Sequence, residues 1–204
     1  MTISSARRFG GDRLVLASHN EGKLAELGAM LAPLGVRVVG AGEAGLPAPE
    51  ETGDSFEANA SLKARAAADA TGLPALADDS GLSVDALGGA PGIYSARWAG
   101  PGGDHAPAIE RIERELGEEA EGALARFVCV LALAWPDGHV ETARGEAPGR
   151  LTFPGRGQGG FGYDPVFVPE GATRSFAEMT REEKRERSHR ARALEILLRE
   201  VFGR

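Results

Sequence analysis

The chain has 204 residues, 42% hydrophobic and 26% charged, an ordinary globular composition with length for one domain or for one domain folded as two lobes about a cleft. Its net charge of −7 argues against duplex DNA or RNA as the main partner, and its single cysteine, Cys129, excludes an intrachain disulfide and argues against a cysteine-based zinc site. No apolar run approaches the ~20 residues of a membrane span, and residues 1–12, where Arg7 and Arg8 precede no apolar stretch of signal-peptide length, read as a short disordered leader of a cytoplasmic protein.

In chain order, residues 13–17 (RLVLA) read as a strand running into the polar loop 18–22. Leu24, Leu27, Met30, Leu31 and Leu34 then recur at helical spacing, which predicts a helix over 23–34. Residues 36–39 predict a second strand, and 40–53, rich in Gly, Pro and Glu, a loop. Asp54 or Ser55 caps a helix over 56–71, with Glu57 placed for a capping box on Asp54. Residues 75–77 are strand-like and lead through Asp78-Asp79-Ser80-Gly81 into the alternating stretch 82–87. A helix is predicted over 104–116, with Ile109, Ile112 and Leu116 on one face. The apolar run 126–135, in which Cys129 reads as a small buried hydrophobe, predicts a central strand. Pro136-Asp137-Gly138 turns it back into 140–145. Five glycines in 155–162 exclude regular structure there. Thr180 and Glu183 form a second capping box, and Ser188 restarts or continues the helix, with Leu194, Leu197, Leu198 and Val201 facing the core. The class is α/β with a mixed sheet.

Four polar motifs sit at element ends. Ser18-His19-Asn20-Glu21-Gly22-Lys23 lies between strand and helix, where free backbone N–H groups and the positive end of the helix dipole suit a phosphate. The spacing is not that of a Walker A loop, and the plain alternative is an N-capped turn with a solvated Lys23. Asp78-Asp79-Ser80-Gly81, with Glu50-Glu51 upstream, offers carboxylate oxygens of the kind a hard cation takes alongside substrate phosphates. Alternation allows at most one of Asp78 and Asp79 to face a cleft, and a simple turn is the competing reading. Residues 157–164 (GQGGFGYD) combine close backbone approach with the stacking faces of Phe161 and Tyr163, or form a flexible loop anchored by two aromatics. Lys184 and Ser188-His189-Arg190 present donors on successive helical turns, or lie on a solvated helix.

Taken together and in this order, the motifs resemble the Ham1/RdgB-type inosine/xanthosine triphosphate pyrophosphatases. The matching stretches are SHNEGK at 18–23, ETG at 51–53, NA..KA at 59–64 and LADDSGL at 76–82. They continue with LGGAPGIYSARWAG at 87–100, GGFGYDP at 159–165 and MTREEK with SHR across 179–190. Ala58 stands where many members carry a second Glu before Asn59. The resemblance covers nearly the whole chain from about residue 13. It implies a cytoplasmic homodimer with a mixed, elongated sheet, two lobes and a nucleotide cleft between them. It further implies that Ser18, His19, Asn20, Glu21, Gly22 and Lys23 hold a triphosphate, and that Glu51 and Asp79 bind Mg²⁺, with Asp79 also the proton acceptor. Ser80 would contact the substrate, and Phe161, Gly162, Tyr163, Asp164, Lys184, His189 and Arg190 would form the nucleoside pocket. The implied reaction converts ITP, dITP or XTP into the monophosphate and pyrophosphate. Two rivals remain at this point: a Maf-type pyrophosphatase, against which FGYD at 161–164 and SHR at 188–190 argue, and a nucleotide-sensing protein, which has no need of a base.

Overall fold

Residues 6–203 are described in a computed structural model of the protein. Its backbone opens with the strand, loop and helix read from the sequence: β1 (Arg13–Leu16) and α1 (Glu21–Leu31). α1 starts two residues earlier than its apolar spacing suggests. The Asn20 side chain accepts from the Lys23 amide at 3.0 Å, satisfying an N–H that the first turn cannot pair internally. The helix ends before Leu34, and Ala32–Leu34 tighten into a 3-10 turn, because Pro33 has no N–H to extend the ladder. β2 (Arg37–Gly40) runs parallel to β1 with Arg37 opposite Arg13.

α2 (Phe56–Thr71) has the bounds read from the sequence. Its cap is Ser55, whose hydroxyl accepts from the Ala58 amide at 3.2 Å. That choice leaves Glu57 one residue short of the capping-box position, and it pairs with Arg144 at 2.8 Å instead. β3 (Ala75–Val84) corrects a further expectation. The Asp78–Gly81 stretch is not a turn between two short strands but the middle of one ten-residue strand, parallel to β1. The alternating stretch stops at Val84, and Asp85–Leu87 form a 3-10 turn.

α3 (Ser95–Trp98) is a single turn, and α4 (Ala106–Leu116) begins where Asp104 accepts the Ala106 amide at 2.9 Å. β4 (Leu124–Ala134) and β5 (Val140–Leu151) are joined by the hairpin expected at Pro136-Asp137-Gly138, closed by Trp135 N–H on His139 O at 2.9 Å. β5 runs six residues beyond the stretch legible in sequence. Its end pairs antiparallel with β6 (Phe167–Pro169), Leu151 opposite Phe167, a partner no local pattern announces. α5 (Arg181–Arg187) carries the Thr180–Glu183 capping box, and α6 (His189–Leu197) restarts after Ser188, whose hydroxyl accepts the Ala191 amide at 3.1 Å. The sheet order is β2-β1-β3-β4-β5-β6, with parallel and antiparallel pairs, so the mixed α/β class holds.

The chain divides into two compact units. One comprises the chain up to Asp79, Val130–Gly145 and the stretch from Arg192. It buries Leu14 and Leu16 of β1, Leu27 and Leu31 of α1, an alanine face of α2 and Leu194, Leu197 and Val201. Residues 1–5 of the expected leader lie outside the described residues. Residues 6–12 form no helix or strand, while the Phe9 amide donates to Val201 O at 2.9 Å and its ring lies 4.9 Å from that of Phe202. The other unit comprises Ser80–Cys129 and Glu146–Ala191. Its core joins Leu82, Ile112, Leu151 and Tyr163 to the ring group Phe127, Phe167 and Phe176. Cys129 is fully buried.

Candidate active site

The loop after β1 is built by its own polar side chains. Ser18 is buried and its hydroxyl accepts the Asn20 amide at 3.2 Å, while Asn20 caps α1. His19 and Glu21 are exposed and Gly22 is half-buried. The capped turn is therefore real, but the solvated lysine is not. Lys23 Nζ lies 2.5 Å from Asp78 Oδ1, with the aspartate side chain fully withdrawn from solvent.

On β3, alternation sends Asp78 and Asp79 to different partners, as a strand requires: Asp78 meets Lys23, and Asp79 meets Lys63. Lys63 projects from α2 and binds two carboxylates at once, Asp79 Oδ1 at 2.7 Å and Glu51 Oε1 at 2.8 Å. Glu51 and Asp79, paired in the sequence reading, are thus brought onto one ammonium. Asp79 Oδ2 is buried with no hydrogen-bond partner among the described residues. Burial pushes the Asp79 carboxyl above its ordinary range, against the pull of the Lys63 ammonium. Burial acts on Lys63 in the opposite sense, but Asp79 and Glu51 outweigh it and hold the ammonium above the usual lysine value. Lys63 and Asp78 were not among the residues given site roles from sequence. Lys63 lies inside the NA..KA stretch, but a lysine on a helix does not declare which carboxylates it faces.

Ser80, the next residue of β3, belongs to the second group. Its hydroxyl accepts from Arg190 Nη2 at 3.0 Å, and Arg190 is almost wholly buried. The Phe161 ring lies 4.6 Å from Lys184 Nζ and 5.8 Å from the Arg190 guanidinium, within reach of both cations. Asp164 organises this loop. Its Oδ2 accepts the Phe161 amide at 2.8 Å and Lys184 Nζ at 2.7 Å. A Cβ on Gly160 would stand 2.0 Å from that oxygen, and its φ of +70° favours glycine as well. Gly162 is half-buried beside Phe161. Tyr163 is buried, and its hydroxyl donates to Ser95 O at 2.8 Å, so its ring anchors the loop instead of offering a stacking face. Burial pushes that phenol well above its ordinary value. His189 is buried and stacks on Phe127, centroids 4.8 Å apart and planes 11° apart. Ser80, Phe161, Asp164, Lys184 and Arg190 therefore form one contiguous cluster, with Tyr163 and His189 set into the core around it. The Lys184 stretch is not a solvated helix face at that residue, which is 6% exposed.

Comparison with known proteins finds relatives along nearly the whole chain. The model of the Ham1 family matches residues 14–200. A dITP/XTP pyrophosphatase of Rhodospirillum centenum is 58% identical over 98% of this chain and 100% of its own length. That of Ruegeria pomeroyi is 57% identical over 97% and 98%. Among solved structures, a HAM1 protein from Coxiella burnetii superimposes with a TM-score of 0.82 at 41% identity, covering 91% of this chain and 95% of that one. A nucleoside-triphosphatase / dITP/XTP pyrophosphatase from Mycobacterium abscessus gives 0.73 at 45% identity, covering 91% and 98%. Matched across nearly its full length in both sequence and fold, the chain belongs to the Ham1 family.

Proposed function

We propose that this chain hydrolyses the non-standard purine nucleoside triphosphates dITP, ITP and XTP to the monophosphate and pyrophosphate, and so cleanses the nucleotide pool. The observation that carries this reading is the pair Glu51 and Asp79, gathered on Lys63 with one buried oxygen of Asp79 left without a partner among the described residues. It is joined by the dITP/XTP pyrophosphatase activity that relatives of more than half identity carry in their names.

The donor set fits Mg²⁺. Two carboxylates supply hard oxygens, and Asp79 Oδ2 lies buried without a hydrogen-bond partner among the described residues. Magnesium characteristically takes one or two carboxylates and fills its remaining positions with phosphate oxygens and water. In this reading Glu51 and Asp79 hold the ion, which when bound neutralises charge on the leaving pyrophosphate. Asp79 Oδ2 accepts the proton of the water that attacks the α-phosphorus. Ser18, His19, Asn20, Glu21, Gly22 and Lys23 hold the triphosphate at the start of α1, by backbone N–H groups and the lysine charge.

Phe161 stacks on the base, and Ser80, Gly162, Tyr163, Asp164, Lys184, His189 and Arg190 shape or line the nucleoside pocket. Hypoxanthine and xanthine present an acceptor oxygen at C6, where adenine presents a donor. A guanidinium N–H of Arg190 aimed there is satisfied by the first two and stranded by adenine, at roughly 1–3 kcal/mol. Residues 13–204 act as one catalytic domain, working as a homodimer in the cytoplasm. No helix among the described residues is long and apolar enough to cross a membrane. Hydrolysis of ITP in ¹⁸O-labelled water tests the site of attack. Label in the monophosphate supports water at the α-phosphorus, and label in pyrophosphate contradicts it.

A further inference from the structure

Asn59 lies fully buried on α2, and its amide nitrogen has no hydrogen-bond partner among the described residues. Its amide oxygen is engaged, accepting the Gly53 backbone N–H at 2.8 Å. Turning the amide over would set one donor against another, so the oxygen is the atom that faces Gly53. A fully buried position that leaves a donor unsatisfied is a poor place for asparagine unless the oxygen's bond matters.

Gly53 closes the segment Glu51-Thr52-Gly53, which has no helix or strand of its own. The approach to α2 is close. A Cβ at Gly53 would stand 2.6 Å from Asn59 Oδ1 and 2.8 Å from Ala58 Cβ, so only glycine fits without displacement. Four residues further along the same helix face, about 6 Å of rise, Lys63 holds the Glu51 carboxylate at 2.8 Å. The early turns of α2 therefore grip this segment twice, at its backbone through Asn59 and at its carboxylate through Lys63. Of the two, Lys63 is a long flexible side chain that also serves Asp79, whereas Asn59 is short-armed, fully buried and bonded to the main chain.

We propose that Asn59 is a positioning residue: by holding the Gly53 N–H it fixes the segment carrying Glu51, and thereby the placement of the Glu51 carboxylate relative to Asp79 that a divalent cation needs. The proposal rests on the reading of Glu51 and Asp79 as the metal-holding pair. It assigns Asn59 no contact with metal or nucleotide.

The test is direct Mn²⁺ binding to the full chain without nucleotide, followed by the electron paramagnetic resonance signal of free Mn²⁺, for wild type, Asn59→Ala, Gly53→Ala and Glu51→Gln. Residues that support metal ligands from behind typically change affinity about 10- to 100-fold when removed, and a weakening of that order is expected for both Asn59→Ala and Gly53→Ala. Nucleotide KM at saturating metal should stay at the wild-type value in both. Gly53→Ala breaks the same bond from a half-buried loop, so it decides the matter if Asn59→Ala fails to fold. Lowered melting temperatures with unchanged Mn²⁺ affinity in the two variants would show a merely structural role and overturn the proposal. If Glu51→Gln weakens binding while they do not, the positioning role alone falls. If Glu51→Gln leaves binding unchanged, the metal-pair reading fails and takes this proposal with it.

Discussion

Lys63 Nζ on α2 lies 2.7 Å from Asp79 Oδ1 on β3, and the two side chains are only 11% and 7% exposed. The contact is asymmetric in energy. Lys63 has two carboxylates to offset its burial, whereas Asp79 has the Lys63 ammonium, and more weakly Lys23, set against its own burial and the like charge of Glu51. The fold therefore favours the charged lysine and resists the charged aspartate. Removing Lys63 should leave the buried Asp79 carboxylate without its hydrogen-bonding cation. Urea unfolding of Lys63→Met is expected to show a loss of about 3–5 kcal/mol, the usual result of taking one partner from a buried pair. Because the lysine's value is raised in the fold, its contribution is fully present below the ordinary lysine pKa and is lost only as pH rises through the folded value. The loss should accordingly be flat across neutral pH. A Lys63→Met variant as stable as wild type would contradict this account of the cluster.

Asp79→Asn should move activity and stability in opposite directions. Loss of a positioned base lowers kcat by about 10²–10⁴, with KM little changed. Since burial raises the carboxyl pKa in the folded state, protonated Asp79 favours folding at low pH, and that benefit is lost as pH rises through the folded value. At neutral pH the wild type therefore bears a charge the neutral amide does not, and the metal-free variant should melt higher. The advantage should close as acid protonates Asp79 in the wild type. A lower melting temperature than wild type at neutral pH would show that Lys63 outweighs burial at this carboxylate.

Tyr163→Phe removes the hydroxyl that meets Ser95 O and leaves that carbonyl short of a partner, at a cost of about 1–3 kcal/mol. The phenol's value is raised by burial, so its contribution holds below the ordinary tyrosine pKa and fades only in stronger alkali. Thermal melts at neutral pH and at pH ~9 should show the same deficit. A deficit that vanishes at the lower pH would mean that the bond carries no stability.

Phe161 sits beside Lys184 and Arg190 on a loop held by Asp164. Phe161→Ala should raise the KM for ITP while kcat changes less. Loss of one base-stacking ring is worth about 1–3 kcal/mol, roughly fivefold to 150-fold in affinity. An unchanged KM would remove Phe161 from the base pocket.

Much of the fold was legible because it is written locally. α2 lies between a serine cap and Gly72 in one stretch, and its bounds agree with the sequence reading, although the choice between Asp54 and Ser55 as cap needed the structure. The Thr180–Glu183 capping box and the Pro136-Asp137-Gly138 hairpin are likewise short-range devices. What was hidden depends on distant partners. The end of β5 exists as strand because β6 pairs with it, and Asp78–Gly81 reads equally as a strand end or as a turn until the flanking strands are known to run straight through it. At the site, the carboxylates and the loop residues were visible as residue types at element ends. Lys63 was not, because its role is set by a helix bringing it between Glu51 and Asp79. Tyr163 reads from sequence either as a stacking face or as a loop anchor, and only the position of Ser95, 68 residues away, decides between them.

The most direct test of the central claim is a product assay of the purified chain with Mg²⁺ and, separately, ITP, XTP, dITP, GTP, ATP and dTTP, measuring pyrophosphate against orthophosphate. Selective pyrophosphate release from ITP, XTP and dITP, lost without metal and in Asp79→Asn, is the result predicted. Turnover of dTTP in preference to ITP would contradict the base pocket assigned to Phe161 and Arg190, and no turnover of any purine triphosphate would contradict the enzymatic reading itself.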